Sequence, residues 1–336
     1  MKKPFFTTVT RISDIESHDF NVEALPHDQW GAGDYVLCEV RGRPGPLYQI
    51  ERPSGRMCMV FDSDLVVGAL GTRAATLEGV GSWRDVGDDG AMHALTGAGL
   101  FGKMTSVSPL LPPLMDLKYV GHVMRGQKVK MMDFVPEVPS KPLDIPVVLL
   151  IGTSMSSGKT ASGRVIVHEL TQLGFKVVGA KLTGAARYRD MLSWRDAGAV
   201  SVFDFVDVGL PSTVCPPEEF RADLTTLLSM ISHAGADVVV AEAGASPLEP
   251  YNGSIAMEMI ADNVRVLVLC ASDPYAVMGV EHAFGRKPEL VCGPASNTDA
   301  AIDLVGKLCD VPALNLLRRR SRPVLRDLLL KRLKAA

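Results

Sequence analysis

Gly152 and Gly158 bracket five residues, and Lys159 and Thr160 follow at once. Ahead of them runs Val147-Val-Leu-Leu-Ile151, an apolar strand-type stretch, and behind them a helix-type stretch begins. A strand, small-residue loop and helix in this order suit a polyphosphate. Loop amides curl around the anion, the lysine reaches its terminal phosphates and the threonine hydroxyl ligates Mg²⁺. Gly152, Thr153, Ser154, Met155, Ser156, Ser157, Gly158, Lys159 and Thr160 are therefore the expected cradle, with ATP and Mg²⁺ as its expected ligands. One departure is informative. Five residues rather than the usual four separate the glycines, so in strict register Thr153 takes the first glycine's place.

Three further sites end apolar runs. Lys181 closes Val177-Val-Gly-Ala-Lys and precedes Leu-Thr-Gly, which places it to hold a phosphoryl or carboxylate group of a substrate beside the nucleotide. Glu242 closes Val238-Val-Val-Ala-Glu and offers the carboxylate that a second Mg²⁺ anchor requires. Asp204 and Asp207 lie in the strand-type run from Ser201 to Val208, where acids are disfavoured. Asp204 joins Thr160 and Glu242 as an expected metal group, with Asp190, Asp196 and Asp207 competing for that place. Asn297, beyond the last apolar run, is expected to read an adenine edge. Lys159, Lys181 and Glu242 form the expected catalytic set.

The elements that must position these groups alternate. Strand-type runs at 146–152, 176–182, 201–207, 237–242, 264–271 and 288–293 interleave with helix-type runs at 159–173, 188–197, 217–234, 254–262, 274–284 and 298–309. Alternation of this kind predicts a mainly parallel sheet with helices on both faces, and ligands bound at the carboxyl ends of its strands. Upstream, β-type segments at 34–41, 46–51, 56–61, 64–69 and 127–134 recur between Gly, Pro and Ser turns. They predict a small, mostly β N-terminal domain, an antiparallel barrel or sandwich, with a helix and a glycine-rich turn within 91–105. Pro136, Pro139, Pro142 and Pro146 mark a linker. The expected domains are thus residues 1–135, a linker at 136–145, and an α/β phosphate-loop domain at 146–336.

Two motifs are set aside. Gly97-Ala-Gly-Leu-Phe-Gly102 fits a dinucleotide fingerprint but lacks a preceding strand and a βαβ unit, so it reads as a turn. Residues 311–336 carry eight Lys and Arg against Asp327, a charge of +7 that leaves −10 for the rest of a chain whose net charge is −3. Leucines at 325, 328, 329, 330 and 333 fit one helix face there, so this tail reads as a docked, capping or oligomer-contact helix with solvated basic residues.

With 336 residues, 47% of them apolar and 22% charged, the chain has the composition of a soluble two-domain protein. No apolar run approaches the ~18 residues that span a bilayer. The net charge gives no reason to expect nucleic acid. Six cysteines form no C-x-x-C pair, and reduced thiols in a cytoplasmic protein are the economical expectation.

Gly152-Thr-Ser-Met-Ser-Ser-Gly-Lys-Thr160 resembles the G-T-x-x-x-x-G-K-T loop of dethiobiotin synthetases, which share the longer spacing. Lys181-Leu-Thr-Gly184 resembles their K-P-V-x-x-G segment, Ala241-Glu-Ala-Gly-Ala245 their V-E-G-A-G, and the Asn297 region their adenine-reading asparagine. The resemblance implies Lys159, Lys181, Thr160 and Glu242 as phosphate, substrate and metal groups, and a homodimer. MinD-like ATPases carry an early loop lysine where this chain has Ser154. The segment Glu242-Ala-Gly-Ala-Ser-Pro-Leu-Glu-Pro-Tyr-Asn-Gly253 is also similar to the E-G-Q-G-S-L-x-H-P-x-Y-x-G signature of the D-glutamate N-acetyltransferase-like P-loop family. Here Glu249 stands near that family's histidine, Ala243 and Ala245 replace a glycine pair, and Ser154 replaces an aspartate.

The leading expectation is an ATP- and Mg²⁺-dependent enzyme that activates a small carboxylate or amine by phosphoryl transfer, as a ligase or kinase. The second resemblance implies an alternative, an N-acyltransferase whose loop binds the pyrophosphate of acetyl-CoA. A nucleotide-controlled regulatory or assembly protein is the third. The expected partners are a small-molecule substrate and a second copy of the chain, with neither nucleic acid nor membrane.

Overall fold

In a computed structural model, residues 3–42 and 49–334 are described. Residues 46–48 of the expected 46–51 strand and the last two residues of the basic tail lie outside them. The chain forms two compact units. One is Val138–Gly184 with Asp190–Asp204 and Leu224–Ala336; the other is Met1–Glu137 with Ala185–Arg189 and Phe205–Asp223.

The first of these units is built on a six-stranded sheet, with β1 (Val147–Gly152), β2 (Val177–Thr183), β3 (Ser201–Asp204), β4 (Val238–Ala243), β5 (Val264–Cys270) and β6 (Leu290–Cys292). Their order across the sheet is β3-β2-β4-β1-β5-β6, and every pairing is parallel. Parallel strands are covered on both faces, which is why β1, β2 and β4 are apolar runs buried along their whole length. The helices are α1 (Lys159–Gln172), α2 (Tyr188–Asp196), α3 (Pro217–His233), α4 (Gly253–Met259), α5 (Pro274–Phe284) and α6 (Asp299–Cys309). A last helix, α7 (Arg322–Leu333), docks on α1 and β5 with Leu325 and Leu329 buried.

The expected α/β alternation is therefore present element by element, with one correction. The 201–207 run stops as a strand at Asp204, and Phe205–Val208 forms a 3₁₀ turn. That turn takes Asp207 out of the sheet. There it meets the Arg11 guanidinium at 2.6 Å, within the β-rich unit.

In the β-rich unit, strand Leu65–Leu70 pairs with Tyr35–Arg41, which pairs with Asp116–Arg125, then Ala91–Ala94, then Leu100–Val107. Leu100–Val107 returns to Leu65–Leu70 through a parallel pairing of Leu100 with Ala69 and Phe101 with Leu70, so the strands close into a small barrel. Val36, Val66, Leu70, Met92, Phe101 and Leu117 fill it. No helix forms in 91–105. Met92 and Ala94 point inward on a strand, and a turn at Thr96–Gly99 feeds the next strand, so alternation wins over the expected helix. The Gly97–Gly102 motif is that turn and the strand start after it. Of the expected 127–134 strand only Gln127–Lys128 forms a strand, with Lys130 in an isolated bridge to Asp34; Met131–Phe134 curls into a 3₁₀ turn because Asp133 accepts the Lys130 amide at 2.8 Å. Among the described residues no helix is long and apolar enough to cross a membrane.

Candidate functional site

β1 runs into the loop at Gly152, and α1 starts at Lys159 with Gly158 as its N-cap. Gly158 has φ +93°, a left-handed conformation that a side chain would strain. Gly152 is needed for space: a Cβ there would lie 2.2 Å from Ser157 Oγ and 2.8 Å from Lys159 Nζ. Thr153, standing in the usual place of the first glycine, ties the loop to the exit of β5. Its amide donates to the Cys270 carbonyl at 3.2 Å, and its hydroxyl accepts from the Ser272 amide at 3.1 Å. Thr153 thus fastens the loop to the neighbouring strand.

The loop wraps its own lysine. Lys159 Nζ donates to the Ser154 carbonyl at 2.7 Å, and the Ser157 hydroxyl donates to the same carbonyl at 3.0 Å. Lys159 is 1% exposed. Burial pushes its ammonium below the ordinary lysine value, against the opposing pull of Glu242, Cys270 and Glu249. Met155 and Ser156 form the more open tip of the loop.

Glu242 reaches the site from β4, the strand beside β1. The Thr160 hydroxyl donates to its Oε2 at 3.0 Å, which joins the first turn of α1 to that strand end. Leu150, Glu242, Lys181 and Asp204 occupy one register row across β1, β4, β2 and β3, so they share a height in the sheet. Lys181 lies between the two carboxylates of that row. Its Nζ also meets Asp190 Oδ2 from α2 at 3.2 Å. Burial alone would lower the Lys181 pKa, but Asp190, Glu242 and Asp204 together outweigh it and the value rises.

The four candidate aspartates separate cleanly. Asp190 and Asp204 serve Lys181, Asp207 pairs with Arg11 in the other unit, and Asp196 lies at the far end of α2. Asp204 stands two strands from Glu242, about 10 Å at the usual interstrand spacing, with Lys181 in between. An oxygen pair from Thr160 and Glu242 matches what Mg²⁺ takes from a protein when phosphates and water complete its shell. Among the described residues no cluster of three or more His, Cys, Asp or Glu could hold a metal without such help.

Gly293 and Pro294, at the exit of β6, pack on the loop at Ser157 and Gly158. Asn297 follows, with an exposed side chain and a carbonyl held by Asn315 Nδ2 at 3.2 Å and by Arg318 at 2.9 Å.

Trp194 escaped the sequence reading. It is fully buried, donates from its indole to the Thr160 carbonyl at 2.8 Å, and lies against Gly163 of α1 and Gly179 of β2. A glycine inside a helix and another inside an apolar strand were its available signal, because both sites cost stability unless a bulky neighbour needs the room. Glu249 was seen only as a departure from a signature. Its carboxylate accepts the Ser246 amide at 2.5 Å and shapes the turn after β4.

No family model matches the chain, and no curated protein matches it. Among solved structures it is similar to a DUF1611 family protein from Anabaena variabilis, at 16% identity and a TM-score of 0.37 over 60% of this chain and 63% of that one. The match thus spans less than two thirds of that protein. It is also similar to HypB from Helicobacter pylori in complex with nickel, at 14% identity and 0.38 over 57% and 88% of the two chains. A third is the signal recognition particle 54 kDa protein of Aeropyrum pernix in complex with GDP, at 15% and 0.32 over 61% and 54%. Strand, wrapped loop, Lys-Thr helix start and the carboxylate on the adjacent strand make the α/β unit P-loop NTPase-like, a nucleotide-binding fold.

Proposed function

We propose that the protein is an ATP- and Mg²⁺-dependent enzyme that transfers a phosphoryl group to a small carboxylate or amine. The observation that carries this reading is the row Glu242–Lys181–Asp204 beside the Thr160–Glu242 contact. An oxygen pair suited to a metal, from Thr160 on α1 and Glu242 on β4, lies beside a buried cation on the neighbouring strand β2, next to a loop suited to a polyphosphate.

When bound, Mg²⁺ would supply charge neutralisation between the terminal phosphates, held by Thr160 and Glu242. Lys159 exchanges its contact with the Ser154 carbonyl for phosphate oxygens. Burial has lowered its pKa, and an incoming anion favours the charged form of the side chain and so offsets that effect. Lys181 stays protonated through neutral pH and orients an anionic acceptor in line with the phosphate, while Asp190 and Asp204 fix its direction. Asn297 marks the side on which the base would lie. Phosphoryl transfer needs positioning and charge stabilisation more than a protein nucleophile, which fits a site furnished with lysines and a metal-binding carboxylate.

The test is a screen of small carboxylates and amines for acceptor-dependent ADP release with MgATP. One or more acceptors should raise ADP release at least tenfold, and Lys181→Met should abolish that rise while leaving MgATP binding intact. Consumption of acyl-CoA without nucleotide turnover would overturn the reading in favour of N-acyl transfer. Slow turnover insensitive to every acceptor would overturn it in favour of a regulatory role.

A further inference from the structure

The outer side of α1 carries a second feature that nucleotide binding at the loop does not use. Residues 161, 164, 165 and 168 lie on one face of the helix, and that face forms a wall of a cavity of about 460 Å³. Such a volume falls within the ordinary range for small-molecule sites. The opposite walls come from the end of α2 and from the segment that leads into α7.

Its chemistry is basic. Arg164 and His168 line the cavity, and among the described residues neither side chain has a hydrogen-bond or ion-pair partner. Arg322 lines it from the far side, 3.5 Å from the buried Glu169 carboxylate, whose other oxygen is held by Arg326. Among the described residues Asp196 is the one acid of the lining, so positive charge is in excess. Val165 and the buried Leu316 give the cavity an apolar wall.

Two guanidiniums and an imidazole lining an open, partly apolar space match a phosphate with a small organic body. We propose that this cavity binds a small phosphate monoester, with Arg164, His168 and Arg322 on the phosphate and Val165 and Leu316 against the body. The phosphate has two possible sources: a separate small molecule, or the far end of a ligand anchored on the loop. Ala161, at the cavity's near edge, is two residues and about 3 Å of helix rise from Lys159.

The experiment is a calorimetric titration of the whole protein with phenyl phosphate, with benzyl alcohol as the uncharged control. Wild type, Lys159→Ala, Arg164→Glu and the double variant Arg164→Ala/His168→Ala are compared. Arg164 is exposed on α1, so the Arg164→Glu variant keeps the fold, and a thermal melt of each protein checks this. Phenyl phosphate should bind the wild type at least tenfold more tightly than either cavity variant, and benzyl alcohol should not bind. Phenyl phosphate is too short to reach the loop as well, so Lys159→Ala should bind it like wild type. Displacement of phenyl phosphate from wild type by MgATP would show that one ligand spans both places, and simultaneous binding that the phosphate comes from a separate molecule. Wild-type affinity in the cavity variants, with or without a loss in Lys159→Ala, or no binding to wild type, would overturn the proposal.

Discussion

The Thr160 hydroxyl and the Glu242 carboxylate meet at 3.0 Å, across the junction between the first turn of α1 and the end of β4. The contact assembles an oxygen pair from residues 82 positions apart in the chain. Hydrogen bonds to charged groups contribute about 1.5 to 3 kcal/mol, so removing either partner should weaken Mg²⁺-dependent nucleotide binding by about 10- to 100-fold. Thr160→Ala and Glu242→Gln should therefore lose most of the gain in ATP affinity that Mg²⁺ provides, while affinity measured in EDTA changes little. Equal losses with and without Mg²⁺ would show that these side chains do not hold the metal.

Gly163 lies inside α1, where replacing glycine with alanine ordinarily stabilises a helix by about 1 kcal/mol. Here a Cβ would fall 2.1 Å from the Trp194 ring, a ring packed on both sides and tied to the Thr160 carbonyl. Overpacking of this kind costs about 1 to 3 kcal/mol and decides the sign. Gly163→Ala should lower the melting temperature, and Trp194→Phe, which relieves no clash and removes a hydrogen bond, should lower it as well. A stabilised Gly163→Ala variant would contradict this packing.

Lys181 has a folded-state pKa above its ordinary value of 10.5. A base raised in this way contributes stability that is complete below the unfolded value and is lost as pH rises through the folded one. Asp190→Asn removes an opposing charge and should move the Lys181 titration, followed by side-chain NMR, to lower pH. The alkaline limb of the stability curve should move with it. A Lys181 midpoint unchanged by Asp190→Asn would show that the 3.2 Å contact is not an ion pair in solution.

Asp223 shows the opposite linkage. Burial, reinforced by Glu219, pushes its carboxyl up to about 6. A raised acid favours the folded state fully below its ordinary value of 3.8, and that advantage is lost as pH rises through about 6. Asp223→Asn should thus be nearly neutral at pH 3.5 and stabilising by about 1 to 2 kcal/mol at pH 7.5, allowing for solvent screening. Urea denaturation at the two pH values measures the difference.

Much of the α/β unit was legible because its signals are local. Apolar runs of strand length, helix periodicity between them and a Gly-Lys-Thr at a strand end each depend on a few neighbouring residues. The longer spacing of the loop was visible too, but the fastening of Thr153 was not, because the Cys270 carbonyl and the Ser272 amide that hold it lie more than a hundred residues away. The same limit hid the division among the aspartates. Asp204 and Asp207 fall in one strand-type run; the 3₁₀ turn Phe205–Val208 leaves Asp204 in the Lys181 row and carries Asp207 to Arg11. Trp194 was missed because its meaning depends on two glycines in two other elements. In the barrel, the strand Ala91–Ala94 is fixed by pairing with Asp116–Lys118 on one side and Phe101–Gly102 on the other, partners that no local pattern within 91–105 names.

Calorimetric titration of MgATP into the wild-type protein and into Lys159→Ala tests the central claim most directly. Lys159 is buried in the loop and, among the described residues, its side chain hydrogen-bonds only to that loop's Ser154 carbonyl, so its loss should leave the fold intact. The wild type should bind one MgATP per chain, and Lys159→Ala should bind it at least 100-fold more weakly. Wild-type protein that takes up no MgATP, or a variant that binds it with undiminished affinity, would contradict a polyphosphate site at Gly152–Thr160.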